Sequence, residues 1–214
     1  MKKSVAVLGL GKYGRSLAEN LYRLGADVLA VDSDEEIIND ISDKCTSAVV
    51  ANLSVEDEVE ALGLKNMDVV VICTGGDLAA SIMCVAVAKD QGVPLVVCKT
   101  SSPRMSTILT KVGADKIINP EGEGGGRSAR ILISESFKDF FEIDENMYMI
   151  ETRPKKEWLG KTLMQLNLRQ KMNLNVVAIK IKNSKWQFVD PTMKLPEDCF
   201  LLIVMEKKYI KNWK

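Results

Sequence analysis

Over its first 120 residues the chain alternates short apolar runs with stretches of helical periodicity. The runs predict strands at Val5–Leu8, Val28–Val31, Ala48–Ala51, Val69–Cys73, Leu95–Cys98 and Lys116–Ile118. Most are unbroken β-branched or aliphatic residues, the pattern of parallel strands covered on both faces. Helical segments lie between them. In the first, Leu17, Ala18, Leu21 and Leu24 share one face, and Gly25 follows as a stop signal. Six such strand–helix repeats predict an α/β doubly wound parallel sheet in the order 3-2-1-4-5-6.

The segment NPEGEGGGRSAR interrupts this rhythm. In the following ILISESFKDFFEID, Ile133, Phe137, Phe140 and Phe141 fall at i, i+4, i+7 and i+8, which predicts an amphipathic helix. Three of the chain's five phenylalanines crowd onto it. It either packs on its own sheet or serves as a crossover or dimer-forming helix. After Ile143 the texture changes. MYMIETRP, NVVAIKIKNSKWQFVDP and EDCFLLIVMEK read as strands, and GKTLMQLNLRQKMN as a helix. The expected organisation is a nucleotide-binding domain over residues 1–133, a connecting helix over 134–142 and a second, smaller α+β domain over 143–214.

Composition narrows this little. The 214 residues are 46% hydrophobic and 27% charged, in the globular range. No apolar stretch approaches the roughly 20 residues needed to cross a bilayer. The basic start MKKS is followed by an apolar run that ends at Leu8, too short for a signal peptide, so a cytoplasmic protein is expected. Lys+Arg and Asp+Glu are equal at 29 each, which argues against nucleic acid as a partner. From Ile143 onward, however, 14 basic residues face 8 acidic ones. That asymmetry suits either a solvated basic surface or an anionic ligand on the second half. The five cysteines include no Cys-x-x-Cys, and Cys73, Cys98 and Cys199 sit in or beside apolar runs. With no histidine and no paired cysteines, a zinc site is not expected.

The chemistry concentrates in Gly9-x-Gly11-x-x-Gly14, which follows a strand, opens a helix and is answered by Asp32 at the end of the next strand. That context makes it a Rossmann-like dinucleotide fingerprint. The glycines let backbone approach a pyrophosphate at the positive end of the helix. Asp32 is placed to accept hydrogen bonds from a ribose diol, and it would repel a 2′-phosphate, which disfavours NADP. Later strands bring Asn52, Thr74-Gly75-Gly76-Asp77 and Lys99 to the same crevice, with Asp77 a plausible N-cap. Glu121 suits either a helix N-terminal charge or a divalent cation. PEGEGGGRS is not a P-loop, because it lacks the lysine before serine and its glycine spacing is one residue short. Nothing completes a catalytic set. There is no histidine and no Tyr-x-x-x-Lys, and Tyr13 lies inside the glycine motif. A nucleotide bound without chemistry points to sensing.

The stretches VAVLGLGKYGRSLAENLYRLGADVLAVDSDEE, ALGLKNMDVVVICTGGDLAAS and VGADKIINPE resemble the cytoplasmic subunits of Trk/Ktr potassium-uptake systems. In these an RCK (regulator of potassium conductance) nucleotide-binding domain precedes an RCK C-terminal domain, and the resemblance covers essentially the whole chain. It implies dimers that assemble into a ring, typically of eight domains, under a membrane potassium transporter subunit, with ATP and ADP favouring different ring shapes. It implies that Gly9, Gly11 and Gly14 hold the phosphates and Asp32 the ribose, with Asn52, Thr74 and Lys99 lining the crevice beside Tyr13, Ser33, Leu53 and Gly75. Lys12 stands where relatives often carry an arginine that reaches the terminal phosphate of ATP; lysine keeps the charge without the bidentate fork. Glu121 matches a position that holds a divalent cation, magnesium or calcium, in some members. Arg169, Asn175 and Val176 match the region that binds cyclic di-AMP between two copies. The rival readings are an NAD-dependent oxidoreductase and an NAD(H) redox sensor acting on DNA. The first lacks catalytic residues and the second lacks a basic recognition helix.

Overall fold

The computed structural model describes residues 2–133, 137–182 and 184–210. The chain divides into two compact units, Met1–Gly122 and Glu123–Lys214.

In the first unit the strands are β1 (Ser4–Leu8), β2 (Asp27–Asp32), β3 (Ser47–Val50), β4 (Val69–Ile72), β5 (Leu95–Lys99) and β6 (Lys116–Ile118). They alternate with helices α1 (Lys12–Arg23), α2 (Glu35–Ile41), α3 (Glu56–Ala61), α4 (Leu78–Asp90) and α5 (Pro103–Val112). The sheet runs β3-β2-β1-β4-β5-β6 and is parallel throughout, as the sequence pattern predicts. Strand alternation sorts its side chains into two layers. Ala6, Leu8, Leu29, Val31, Val70 and Ile72 pack on one face. Val5, Val7, Val28, Ala30 and Val71 pack on the other. Each buried Val or Leu is worth roughly 1.5–3 kcal/mol, so the strands are held rigidly from both sides. Register places Leu8 beside Val31 and Ile72, so the carboxyl ends of β1, β2 and β4 finish level. The crevice of the site opens there.

Local chemistry sets the helix ends. Asp34, Asp77 and Ser102 each accept a backbone N–H in the first turn of α2, α4 and α5, and Pro103 begins α5. One residue of the α1 stripe departs from expectation. Leu24 is 85% exposed because it is the C-cap residue, after which the chain turns away through Gly25 at a φ of 90°.

The second unit differs more from the sequence reading. Helix α6 (Pro120–Ile133), which begins in the last residues of the first unit, includes the glycine-rich segment that looks like a break in sequence. Each helical glycine costs about 1 kcal/mol. Asn119 offsets part of this by accepting the Gly122 N–H at 3.0 Å, and Ile131 packs into the second core. Where the sequence predicts an amphipathic helix over 134–142, the described residues Phe137–Glu142 form a strand, β7, paired antiparallel with β8 (Met147–Thr152). Residues 134–136 and the Phe137 side chain lie outside the described residues. Aromatic residues fit a pleated surface, and Phe140 fills the core at 1% exposure, 4.4 Å from the Tyr148 ring centroid. Phe140 therefore serves its own unit's core, not a dimer interface. The Phe141 ring, in turn, lies under the Arg127 guanidinium at 4.3 Å.

The expected helix after residue 160 is two short ones, α7 (Leu163–Leu166) and α8 (Leu168–Met172), separated by Asn167 in the left-handed region at a φ of 46°. The strands β9 (Leu174–Ile181), β10 (Gln187–Phe188) and β11 (Cys199–Glu206) complete an antiparallel sheet in the order β10-β9-β11-β8-β7. A last turn, α9, covers Lys207–Ile210. The inward residues of β11, namely Cys199, Leu201, Ile203 and Met205, join Ile150, Trp158 and Ile179 in one core.

Candidate nucleotide-binding site

The loop from β1 to α1 is shaped by two glycines with different duties. Gly9 has a φ of 92°, and a Cβ there would sit 2.9 Å from the Cys73 carbonyl carbon. Gly14 is buried in α1, and its Cβ would fall 2.0 Å from the Gly9 carbonyl oxygen. These two close the loop onto β4 and the helix onto the loop. Gly11 is different. It is the N-cap of α1 at a φ of −57°, and a Cβ there would meet nothing within 4 Å. No side chain caps the helix at this end. Free N–H groups at a helix N-terminus attract an anion, and the open space at Gly11 lets one approach the backbone.

Asp32 ends β2 and braces the loop. One of its carboxylate oxygens accepts the Leu10 N–H at 2.6 Å and the other accepts the Asp34 N–H at 3.1 Å. Gly9, Asp32, Ser33, Asn52, Leu53 and Thr74 line one cavity of about 190 Å³ with Ser54, Asp77 and Ala80. Seven residues singled out in sequence, Asp77 among them, thus converge from the ends of β1, β2, β3 and β4. The Asn52 side chain accepts the Ser54 N–H at 3.0 Å, and the Thr74 hydroxyl lies 2.7 Å from the buried Ser81 hydroxyl. Asp77 caps α4 through the Ala80 N–H and accepts the Ser54 hydroxyl. These bonds, the Ala80 N–H foremost, hold its carboxyl below the usual carboxylate range. Ser54, Ala80 and Ser81 escape a sequence reading. Their only signal is position, on loops and helix starts at the carboxyl edge of the sheet.

Acceptors and hydroxyls dominate this cavity, and its volume falls below the roughly 300 Å³ of a site that encloses a whole drug-sized ligand. It suits the sugar end of a nucleotide, with phosphates outside over the start of α1. Positive charge gathers there. Lys12 is exposed and has no ion-pair partner among the described residues. Lys99, at the end of β5, pairs with Glu121 at 2.6 Å and lies 5.8 Å from the Tyr13 ring centroid. The Lys99 ammonium draws the Glu121 carboxyl below its ordinary range. Gly75, at a φ of 68°, forms the turn between Thr74 and α4. Burial pushes the Cys73 thiol, beneath the loop, up to about 12, so it is no thiolate at neutral pH. Among the described residues no group of three Cys, Asp or Glu is placed to hold a metal ion.

In the second unit, Arg169, Asn175 and Val176 line a separate groove of about 220 Å³ with Met164, Asn167 and Pro191. The three sequence candidates are thus brought together there. Asn167 and Asn173, both left-handed, bend α7 and α8 around it.

Residues 5–120 match the TrkA-N domain family. Over 211 residues the chain is 31% identical to Ktr system potassium uptake protein A of Bacillus subtilis, covering 99% of this chain and 95% of that one. The chain belongs to the Trk/Ktr potassium-uptake family. Ktr system potassium uptake protein C of the same organism is 34% identical over 180 residues, 84% of this chain and 81% of the relative. Among solved structures, the GsuK channel bound to NAD superposes with a TM-score of 0.66 at 13% identity, covering 97% of this chain and 38% of that one. The TrkA-N domain of the inner membrane protein ybaL of Escherichia coli superposes with a TM-score of 0.54 at 15% identity, covering 62% of this chain and 97% of that one. Both likenesses are of fold. Among the described residues no helix is long and apolar enough to cross a membrane.

Proposed function

We propose that this chain is a non-catalytic regulatory subunit of a membrane potassium-uptake transporter, acting at its cytoplasmic face and gated by an adenine nucleotide. The observation that carries the reading is the loop at Gly9–Gly14. It leaves the α1 N-terminus uncapped and open at Gly11, with Asp32 and the polar cavity beside it. Gly9, Gly11 and Gly14 form the phosphate cradle. Asp32 and Ser33 take the ribose, with Asn52, Leu53, Thr74 and Gly75 around the remainder and Lys12, Tyr13 and Lys99 toward the phosphates. ATP and ADP are the favoured ligands, and NAD/NADH is the alternative supported by the NAD in the GsuK channel structure. When bound, the nucleotide supplies charge and no reacting group. A terminal phosphate competes with Glu121 for Lys99 and frees that carboxylate for magnesium or calcium.

Binding moves a conformational equilibrium only by its difference in affinity between two states. The unit that switches is a homodimer built into a ring, with eight subunit domains as the expected size. Leu132 and Ile133, 85% and 86% exposed near the end of α6, are apolar surface available for such assembly. A second ligand, cyclic di-AMP, is proposed for the groove at Arg169, Asn175 and Val176, whose exposed Met164 suits burial against another copy.

The test is thermal stabilisation by ATP, ADP, NAD, NADH and cyclic di-AMP, with potassium-limited growth of cells that carry the transporter but lack its regulatory subunit. The reading requires stabilisation by an adenine nucleotide and its loss with restored growth's loss in Asp32→Ala. Sustained turnover of NAD with a metabolite, or growth indifferent to the chain, would contradict it.

A further inference from the structure

The basic surplus of the second half has a structural focus outside both sites described above. On β11, even-numbered residues point away from the core, and Phe200 is the first of them. Its cross-strand neighbour on β9 is Lys180. On the other side Leu201 pairs with Thr152, which brings Arg153 beside Phe200 just beyond β8. Lys138 completes the row from β7, at the point where its pairing with β8 is irregular. The Lys138 ammonium lies 4.5 Å from the Phe200 ring centroid and the Arg153 guanidinium 5.5 Å. With strands about 4.8 Å apart, three cations stand around one aromatic ring across four adjacent strands.

These residues, with Lys182 and Ser184, line a cavity of about 530 Å³ that also touches Glu197 and Asp198. Four cations therefore face two carboxylates. Two of the cations are committed, Lys182 to Asp198 at 3.4 Å and Lys138 to Glu151 at 3.3 Å. Arg153 and Lys180 have no carboxylate partner among the described residues. The volume lies in the range of small-molecule sites. Arg153 and Lys180 flank β11 from either side, so their backbones lie roughly 10 Å apart, a span that linked phosphate groups can bridge. The guanidinium fork on one side and the ammonium on the other each match phosphate oxygens.

We propose that this cavity is a binding site for a small polyanion bearing two or more linked phosphate groups, held chiefly by Arg153 and Lys180 on either side of Phe200. It is separate from the glycine loop and does not depend on the function of that loop. Phosphates of free metabolites and of lipid headgroups share this chemistry, and a concave volume of about 530 Å³ with no apolar surface among its exposed large side chains to enter a bilayer favours the free ligand.

The probe is inorganic tripolyphosphate, titrated calorimetrically into the full chain carrying Gly11→Val, which removes the proposed phosphate site on α1. Saturable binding is expected, weakened at least tenfold by Arg153→Gln with Lys180→Gln and weakened by raising salt from 50 to 300 mM. The exchange Arg153→Lys with Lys180→Arg keeps the charges and retains binding. Melting curves establish that each variant folds, and both positions accept polar replacement because neither is buried. No binding of tripolyphosphate to the Gly11→Val chain, or equal binding by the double Gln variant, overturns the proposal. Binding to vesicles of anionic phospholipid but not to tripolyphosphate overturns it too.

Discussion

Gly11 and Gly14 stand three residues apart in one motif, yet the structure gives them opposite roles, which a paired substitution separates. In Gly14→Ala the new Cβ falls 2.0 Å from the Gly9 carbonyl oxygen and 3.4 Å from the Cys73 Cβ. Gly9 cannot yield easily, because its N–H bonds the Val31 carbonyl at 2.8 Å and its own Cα faces the Cys73 backbone. Overpacking costs typically 1–3 kcal/mol, and a clash with fixed backbone belongs at the upper end, about 3 kcal/mol. At about 2–4 °C per kcal/mol for a chain of this size, melting falls by roughly 6–12 °C. In Gly11→Val the side chain enters open space at a φ of −57°, so only the weaker N-cap preference is lost, below about 1 kcal/mol. The folded protein survives. Its ligand does not, because the valine occupies the room through which phosphate reaches the α1 N–H groups. In wild type, nucleotide at a hundred times its dissociation constant stabilises by about 2.7 kcal/mol. Scanning fluorimetry with and without ADP reads both effects. Gly11→Val should melt near wild type and show no ADP shift, whereas Gly14→Ala should melt low even without ligand. A full ADP shift in Gly11→Val, or a wild-type melting point in Gly14→Ala, would refute the assignment of roles.

Two further predictions rest on ionisation. The Val96 N–H and, less strongly, Lys89 hold the Asp115 carboxyl below its usual range. A carboxylate depressed by folding stabilises fully above its unfolded value near 3.9 and loses that contribution as pH falls through the folded value. Acid melts should therefore show Asp115→Asn losing less stability than wild type below about pH 4, and parallel acid limbs would contradict this. Burial raises the Cys73, Cys84 and Cys98 thiols to about 12 and Cys199 to about 11, and all five cysteines are buried. Iodoacetamide at pH 8 should label none of them in the native protein while labelling all five after denaturation; rapid native labelling by mass spectrometry would show that these thiols are reached from solvent.

The first unit is legible in sequence because its rules are local and repeat. A buried parallel strand needs an unbroken apolar run, and the runs at Val5–Leu8 and Val69–Ile72 have no helical alternative of that length. Strand order then follows the doubly wound pattern, and the carboxyl-edge rule gathers Gly9, Asp32, Asn52 and Thr74 into one cavity before any coordinates exist. The second unit resists for the opposite reason. Phe140 and Phe141 fit a helical period with Ile133 as well as a strand, and the pairing of Phe140 with Ile150 and Phe141 with Met149 decides between them. That choice is made by tertiary partners, as is the helicity of the glycines after Pro120. The same limit explains why the cationic row escapes the sequence. Lys138, Arg153, Lys180 and Phe200 are scattered over 63 positions, and only antiparallel register sets them side by side. A motif confined to one loop is readable from its spacing. A site assembled across strands becomes visible only when the pairing of those strands is known, which is why the charge surplus has a sequence signal but no sequence address.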